Sequence, residues 1–314
     1  MADQRVQVNV DGRRLTLSNL DKVLYPSTGF TKGDVLDYYS RVAPVILPNL
    51  KDRPTTFVRF PNGVEGKSFF EKDVSRHAPD WVRTAKLATG SRGQGSEVLY
   101  YPLINDLPTL VWAANLAALE LHVPQWTVGA RGARHNPDLL VFDLDPGEPA
   151  TVVECCRVAL RLREALAEDG LTAFAKTSGS KGLQLYCAVR TTRQEATSEY
   201  AKSLAERLHE ESPGEIVAKM LKVLRPGKVL IDWSQNNPAK TTVAPYSLRA
   251  KERPTVSTPV TWAEVESCRT PGDLTFTSED VLERLDEYGD LFGELDAHRV
   301  SLPRKSPERA GTSR

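Results

Sequence analysis

The chain has 314 residues, 40% hydrophobic and 26% charged, and its Lys and Arg balance its Asp and Glu to a formal net charge of zero. This is an ordinary globular composition with room for one large domain or two small ones, and it excludes collagenous and low-complexity classes. Residues 1–20 are polar and charged, with no apolar core of the length a signal peptide needs, and no apolar run reaches the roughly 18 residues of a membrane span.

In chain order, 106–121 reads as one helix. Leu107, Leu110, Val111, Ala114, Ala117, Ala118 and Leu121 recur with helical period, Pro108 sits in the first turn, and Pro124 stops continuation. Leu139 to Asp145 alternates as a strand. Thr151 to Asp169 is a helix, with Thr151 as its cap and Gly170 as its stop. Leu171 to Thr177 and Leu183 to Arg190 are strands around a Gly-containing turn. An amphipathic helix follows over 194–211, then a short buried strand from Val229 to Trp233 and an acidic helix from Ser278 to Leu295. Residues 303–314, rich in Pro, Ser and basic side chains, are expected to be a disordered tail. The strands cluster around turns instead of alternating strictly with helices. That predicts an α+β fold with antiparallel pairing. Cys155, Cys156, Cys187 and Cys268 lack metal-ligand spacing and read as reduced thiols of a cytoplasmic protein.

The zero net charge is a cancellation between segments. Residues 219–253 carry eight bases against two acids, whereas 260–298 carry eleven acids against two bases. A local positive surface is what phosphate binding requires.

Three segments carry chemistry. In Val141-Phe142-Asp143-Leu144-Asp145-Pro146 the strand period places Asp143 and Asp145 on one face, about 7 Å apart along the chain. Such a pair suits Mg²⁺ or Mn²⁺; the plainer alternative is a solvent-facing acidic pair. Lys228-Val229-Leu230-Ile231-Asp232-Trp233 sets one acid in an apolar run, where a shared metal would partner it; the alternative is an aspartate capping the next turn. Together the three aspartates form a carboxylate set for two metal ions. Lys176-Thr177-Ser178-Gly179-Ser180-Lys181-Gly182 could cradle an anion with backbone N–H groups, hydroxyls and Lys181, or could be an ordinary hairpin turn. His122 could serve a site or the core. Phe69 and Phe70, beside Lys67 and Lys72, could stack bases or fill the core.

These segments together resemble the polymerase domain of bacterial ligase D, in the archaeo-eukaryotic primase superfamily. The resemblance is carried by Phe142-Asp143-Leu144-Asp145-Pro146-Gly147, Thr177-Ser178-Gly179-Ser180-Lys181-Gly182-Leu183 and Asp232-Trp233-Ser234-Gln235-Asn236. It extends to Asp21-Lys22-Val23-Leu24-Tyr25-Pro26, Ser68-Phe69-Phe70-Glu71-Lys72, Leu121-His122-Val123-Pro124-Gln125-Trp126 and Ala244-Pro245-Tyr246-Ser247-Leu248-Arg249.

The resemblance implies a primase-like α+β core of antiparallel sheets flanked by helices, with the active site in the groove between them. It implies a single domain over 1–302, with a DNA-end-binding part to about residue 105 and a catalytic part from about 106. Asp143, Asp145 and Asp232 would be the catalytic metal ligands for two Mn²⁺ or Mg²⁺ ions. His122, Ser178, Lys181, Gly182, Gln184 and Arg249, with Arg53 or Lys51, would hold an incoming NTP or dNTP. Lys22 and Lys32 would grip a DNA 5′-phosphate, with Phe69, Phe70, Lys72 and Arg225 as further DNA contacts.

The implied activity is primer extension and gap filling in bacterial non-homologous end joining, favouring ribonucleotides and Mn²⁺. Ku and a DNA ligase would be partners, and the location would be cytoplasmic and nucleoid-associated. The family usually has His where this chain has Gln184, an amide that donates a hydrogen bond but carries no charge. No Lys-x-Asp-Gly ligase nucleophile motif is present, so either a stand-alone homologue or a piece of a longer chain is expected, and the free tail favours the former. Two rivals are a haloacid-dehalogenase-type phosphatase, disfavoured by Gly147 where its Thr would stand, and a non-catalytic DNA-end-binding module.

Overall fold

The computed structural model describes residues 5–89 and 97–303. It opens on a hairpin, β1 (Arg5–Val10) and β2 (Arg13–Ser18), turned by Asp11 and Gly12, both at positive φ. A second ribbon, β3 (Val23–Tyr25) and β4 (Phe30–Thr31), feeds α1 (Lys32–Arg41). Thr31 and Asp34 cap α1 reciprocally, satisfying N–H groups that the first turn leaves open. Next come α2 (Ala43–Leu50), β5 (Thr56–Arg59), β6 (Phe69–Glu71), β7 (Thr84–Thr89) and β8 (Glu97–Pro102).

The single helix expected over 106–121 is instead α3 (Leu107–Asn115) followed by β9 (Ala118–Val123). Asp106 caps α3, and Ala117 breaks it with a left-handed φ of 56°. Beyond that break Leu119, Leu121 and Val123 are buried and alternate with Glu120 and His122. Ala118 and Leu121 continue the helical period of α3, and the strand alternation of Leu119, Leu121 and Val123 begins only there, which is what misled the helical reading.

The later elements are β10 (Leu139–Pro146), α4 (Val152–Glu168), β11 (Phe174–Thr177), β12 (Leu183–Arg190), α5 (Ala196–Glu211) and β13 (Ile216–Val217). After them come β14 (Val229–Asp232), β15 (Thr242–Val243), β16 (Pro259–Val260), α6 (Trp262–Ser267), α7 (Ser278–Tyr288) and β17 (Val300–Ser301). Thr151 caps α4 and Gly170 follows its end at φ 75°, as the sequence requires. The acidic helix is shorter than expected: Gly289, at φ 67°, ends it at Tyr288 instead of Leu295. The tail expected over 303–314 lies, Pro303 apart, outside the described residues.

Two larger sheets frame the site. One runs β13-β14-β10-β12-β11-β16, with β17 added beside β12; the other runs β15-β9-β5-β6. Apart from β13 with β14 and β12 with β17, their pairings are antiparallel, and the α+β class stands. The second sheet takes β5 and β6 from before residue 106 and β9 and β15 from after it.

On β10 the alternation divides the work. Leu140, Phe142 and Leu144 pack with α4, α5 and the apolar side of β12, while Asp143 and Asp145 take the opposite face. All four cysteines are buried free thiols. Among the described residues, no helix is long and apolar enough to cross a membrane.

Candidate active site

β10 and β14 pair antiparallel with Asp143 opposite Asp232. Asp145 shares the face of Asp143, and one carboxylate oxygen from each aspartate lies within 4.8 Å of the others. Burial, and then the charge of Asp145, push Asp143 above the usual carboxylate range. Burial and then Asp232 push Asp145 the same way. The cluster is thus short of positive charge, and its donors are all hard oxygens, so it fits Mg²⁺ or Mn²⁺. Asp232 also caps the turn that follows, accepting from Ser234 N–H at 2.9 Å and from Gln235 Nε2 at 2.8 Å. Asp232 thus caps a turn, as one reading expected, and also stands in the acidic cluster.

Opposite the acids, β9 and β15 supply the other wall of a cleft of about 330 Å³. His122, Asp143, Asp145, Ser178, Lys181, Gly182, Gln184 and Arg249 all line it. The loop between β11 and β12 is closed by the Ser178 hydroxyl, which accepts from the N–H groups of Ser180 at 3.2 Å and Gly182 at 3.0 Å. A side chain at residue 182 would place Cβ 2.3 Å from the Leu144 carbonyl, so only glycine lets this loop approach β10. Lys181 stands at the exposed rim and pairs with Glu148 at 2.8 Å.

Glu120 organises the cationic side and escaped the sequence reading. Its two oxygens bind His122 Nε2 at 2.8 Å and Arg249 Nε at 3.0 Å. Burial alone would raise its pKa; the His122 hydrogen bond and the Arg249 charge overcome this and hold it down at about 2. Arg249 is fixed further by a hydrogen bond to the Ser178 carbonyl, which ties the loop to this cluster. The strand period of Leu119 to Val123 is the signal that would have put Glu120 and His122 on one face. Lys176, quoted above only as part of the loop motif, is fully buried on β11 and donates to Gln184 Oε1 at 2.6 Å.

The remaining candidates are spread more widely. Arg53 is buried in a two-point ion pair with Asp138, both contacts 2.8 Å, and Lys51 caps the end of α2; neither lines the cleft. Arg225 lies close enough to Asp145 to favour its charged form. Phe69 and Phe70 on β6 are 41% and 69% exposed, so they are not core residues. Lys72 is exposed on the next segment. The Lys32 N–H donates to the Lys22 carbonyl at 2.8 Å, which makes the two lysines backbone neighbours. Their side chains part: Lys22 reaches Asn62 at 3.0 Å, and buried Lys32 reaches the Ser18 carbonyl at 2.6 Å.

Known proteins share this arrangement. The family model for the LigD primase-polymerase domain matches residues 31–292. The multifunctional non-homologous end joining protein LigD of Mycolicibacterium smegmatis is 45% identical over 285 residues, covering 90% of this chain and 36% of that protein. The bifunctional non-homologous end joining protein LigD of Bacillus subtilis is 33% identical over 278 residues, 88% of this chain and 43% of that one. The chain thus spans well under half the length of these relatives. The solved polymerase domain of Mycobacterium tuberculosis ligase D in complex with DNA superimposes with a TM-score of 0.83 at 43% identity, covering 90% of this chain and 98% of that one.

Proposed function

The chain belongs to the LigD primase-polymerase domain family, and from that premise we propose that it is a metal-dependent, template-directed nucleotidyltransferase extending primers and filling gaps at DNA ends. The observation that carries this reading is the meeting, in one cleft, of Asp143 and Asp145, which cluster with Asp232 beside it, with the Glu120-bound pair His122 and Arg249.

Asp143, Asp145 and Asp232 would hold two divalent cations, which when bound supply charge neutralisation for the triphosphate and activation of the primer hydroxyl. Arg249, His122 and the 178–182 loop receive the triphosphate. Lys181, exposed and paired with surface Glu148, exchanges that partner for a phosphate oxygen. The primer 3′-oxygen then forms a bond to the α-phosphorus, and the bond to pyrophosphate breaks. The protein's contribution is positioning and charge complementarity. Exposed Phe69 and Phe70 offer ring faces to bases, with Lys72 and Arg225 toward the backbone. Lys22 supplies the exposed charge for a 5′-phosphate, with Lys32 behind it.

Relatives named for non-homologous end joining support a role for this chain in that process. From the resemblance of its motifs we further infer Ku and a DNA ligase as partners and a preference for ribonucleotides and Mn²⁺. Primer extension on 5′-phosphorylated gapped DNA tests this, run with ribo- or deoxynucleotides and with Mn²⁺ or Mg²⁺. Gap filling that is fastest with ribonucleotides and Mn²⁺ supports the proposal. Tight binding to the gap without extension under any of the four conditions would replace it with an end-binding role.

A further inference from the structure

Four residues form one row across four neighbouring strands. The registers pair Lys176 on β11 with Gln184 on β12, Gln184 with Asp143 on β10, and Asp143 with Asp232 on β14. Lys176 is fully buried, which lysine rarely is without a paired charge. Yet its nitrogen meets the Gln184 amide oxygen at 2.6 Å, the Ser257 hydroxyl, and the Tyr186 ring at 5.4 Å, none of them a carboxylate. The Gln184 Nε2 in turn donates to Asp143 Oδ1 at 2.9 Å.

We propose that Lys176 is a positioning residue which, acting through the Gln184 amide, aims the Asp143 carboxylate at the bound cation. The proposal rests on the polymerase reading above. The two ends of a primary amide differ: the oxygen only accepts and the nitrogen only donates. A carboxylate only accepts, so Asp143 requires the nitrogen. Lys176 donates, so it requires the oxygen. A single amide orientation satisfies both neighbours, and it leaves Asp143 Oδ2 for the acidic cluster. Without Lys176 the Tyr186 hydroxyl, 3.4 Å from the same amide oxygen, is the weaker remaining donor. The amide could then turn over and set its oxygen against the carboxylate. Removing groups that orient a metal ligand typically costs ten- to a hundredfold in metal affinity. Lysine at this point of β11 therefore gives orientation at the cost of burying a polar nitrogen.

Titration of the free Mn²⁺ paramagnetic resonance signal tests this, with thermal unfolding to check the fold. Lys176→Met should bind Mn²⁺ about tenfold or more weakly, melt no lower than wild type, and hold gapped DNA as wild type does. Gln184→Leu should lose the same factor, and the double variant should lose no more than either single one, because both act on Asp143 through one contact. Wild-type Mn²⁺ affinity in Lys176→Met overturns the proposal, as does a further loss in the double variant, which would show Lys176 acting directly by its charge. If Lys176→Met does not fold, unchanged Mn²⁺ affinity in Gln184→Leu overturns it equally. Wild-type protein that neither binds Mn²⁺ nor extends a primer overturns the polymerase reading and this proposal together. Wild-type protein that does both, beside an unaffected Lys176→Met, overturns the positioning role alone.

Discussion

Asp143 and Asp232 stand directly opposite each other on adjacent antiparallel strands, and with Asp145 they bring three carboxylates within 4.8 Å. Like charges facing each other across a ladder destabilise it unless a cation intervenes. The raised pKa values of Asp143 and Asp145 mean that the cation-free fold loses stability as pH climbs above the ordinary carboxylate range. At neutral pH, Asp143→Asn should therefore raise the melting temperature of the cation-free protein. In wild type, Mn²⁺ at about 100 times its Kd should add roughly 2.7 kcal/mol of stability. Calorimetry with EDTA and then Mn²⁺ checks both signs. A melting temperature unmoved by Mn²⁺ would remove the cation from the account.

Glu120 predicts the opposite pH dependence. Its pKa is depressed from 4.5 to about 2, so its contribution is present above about pH 4.5 and fades as pH falls toward 2. The displacement corresponds to about 3 kcal/mol. Urea midpoints measured from pH 6 to 2 should show wild type losing about that much more stability than Glu120→Gln. Parallel curves for the two proteins would mean that the His122 and Arg249 contacts contribute nothing to stability.

Much of the carboxylate site was legible in the sequence because the strand period is 2. An Asp-x-Asp pair followed by Pro must share a face near a strand end, whatever the fold around it. Which strand lies alongside is set by tertiary pairing, so the sequence could offer Asp232 as a ligand or as a turn cap without deciding between them. The structure makes it a cap within the cluster. Glu120 was hidden because Ala118 and Leu121 continue the helical period of α3, and only the positive φ of Ala117 separates α3 from β9. Lys176 was hidden for a different reason. Its partners lie at positions 184 and 257, and no local pattern announces a buried lysine.

The exposure of Phe70 on β6 separates stability from binding. Phe70→Ala should leave the melting temperature within about a degree, because surface substitutions are usually worth no more than about 0.5 kcal/mol. Loss of one base-stacking ring should weaken gapped-DNA binding by about 1–3 kcal/mol. Fluorescence anisotropy reads the second effect, and unchanged affinity would return Phe70 to the status of a surface residue.

Exposed Lys22 donates to the Asn62 side chain at 3.0 Å and can turn from it toward an anion. Binding to 5′-phosphorylated gaps should exceed binding to unphosphorylated ones, and the excess should shrink with salt. Lys22→Ala should erase most of that excess while leaving unphosphorylated binding alone. An undiminished phosphate preference in the variant would place the 5′-phosphate elsewhere.

The central claim is that the three aspartates perform nucleotide addition. Pyrophosphate release on a primed template, measured for wild type and for Asp143→Ala and Asp232→Ala, tests it most directly. Wild type should release pyrophosphate in step with primer extension. Both variants should fall to background while binding gapped DNA with wild-type affinity, since the ligand set is broken and the DNA-contacting residues are untouched. Pyrophosphate release by either variant at a rate near wild type would contradict the claim.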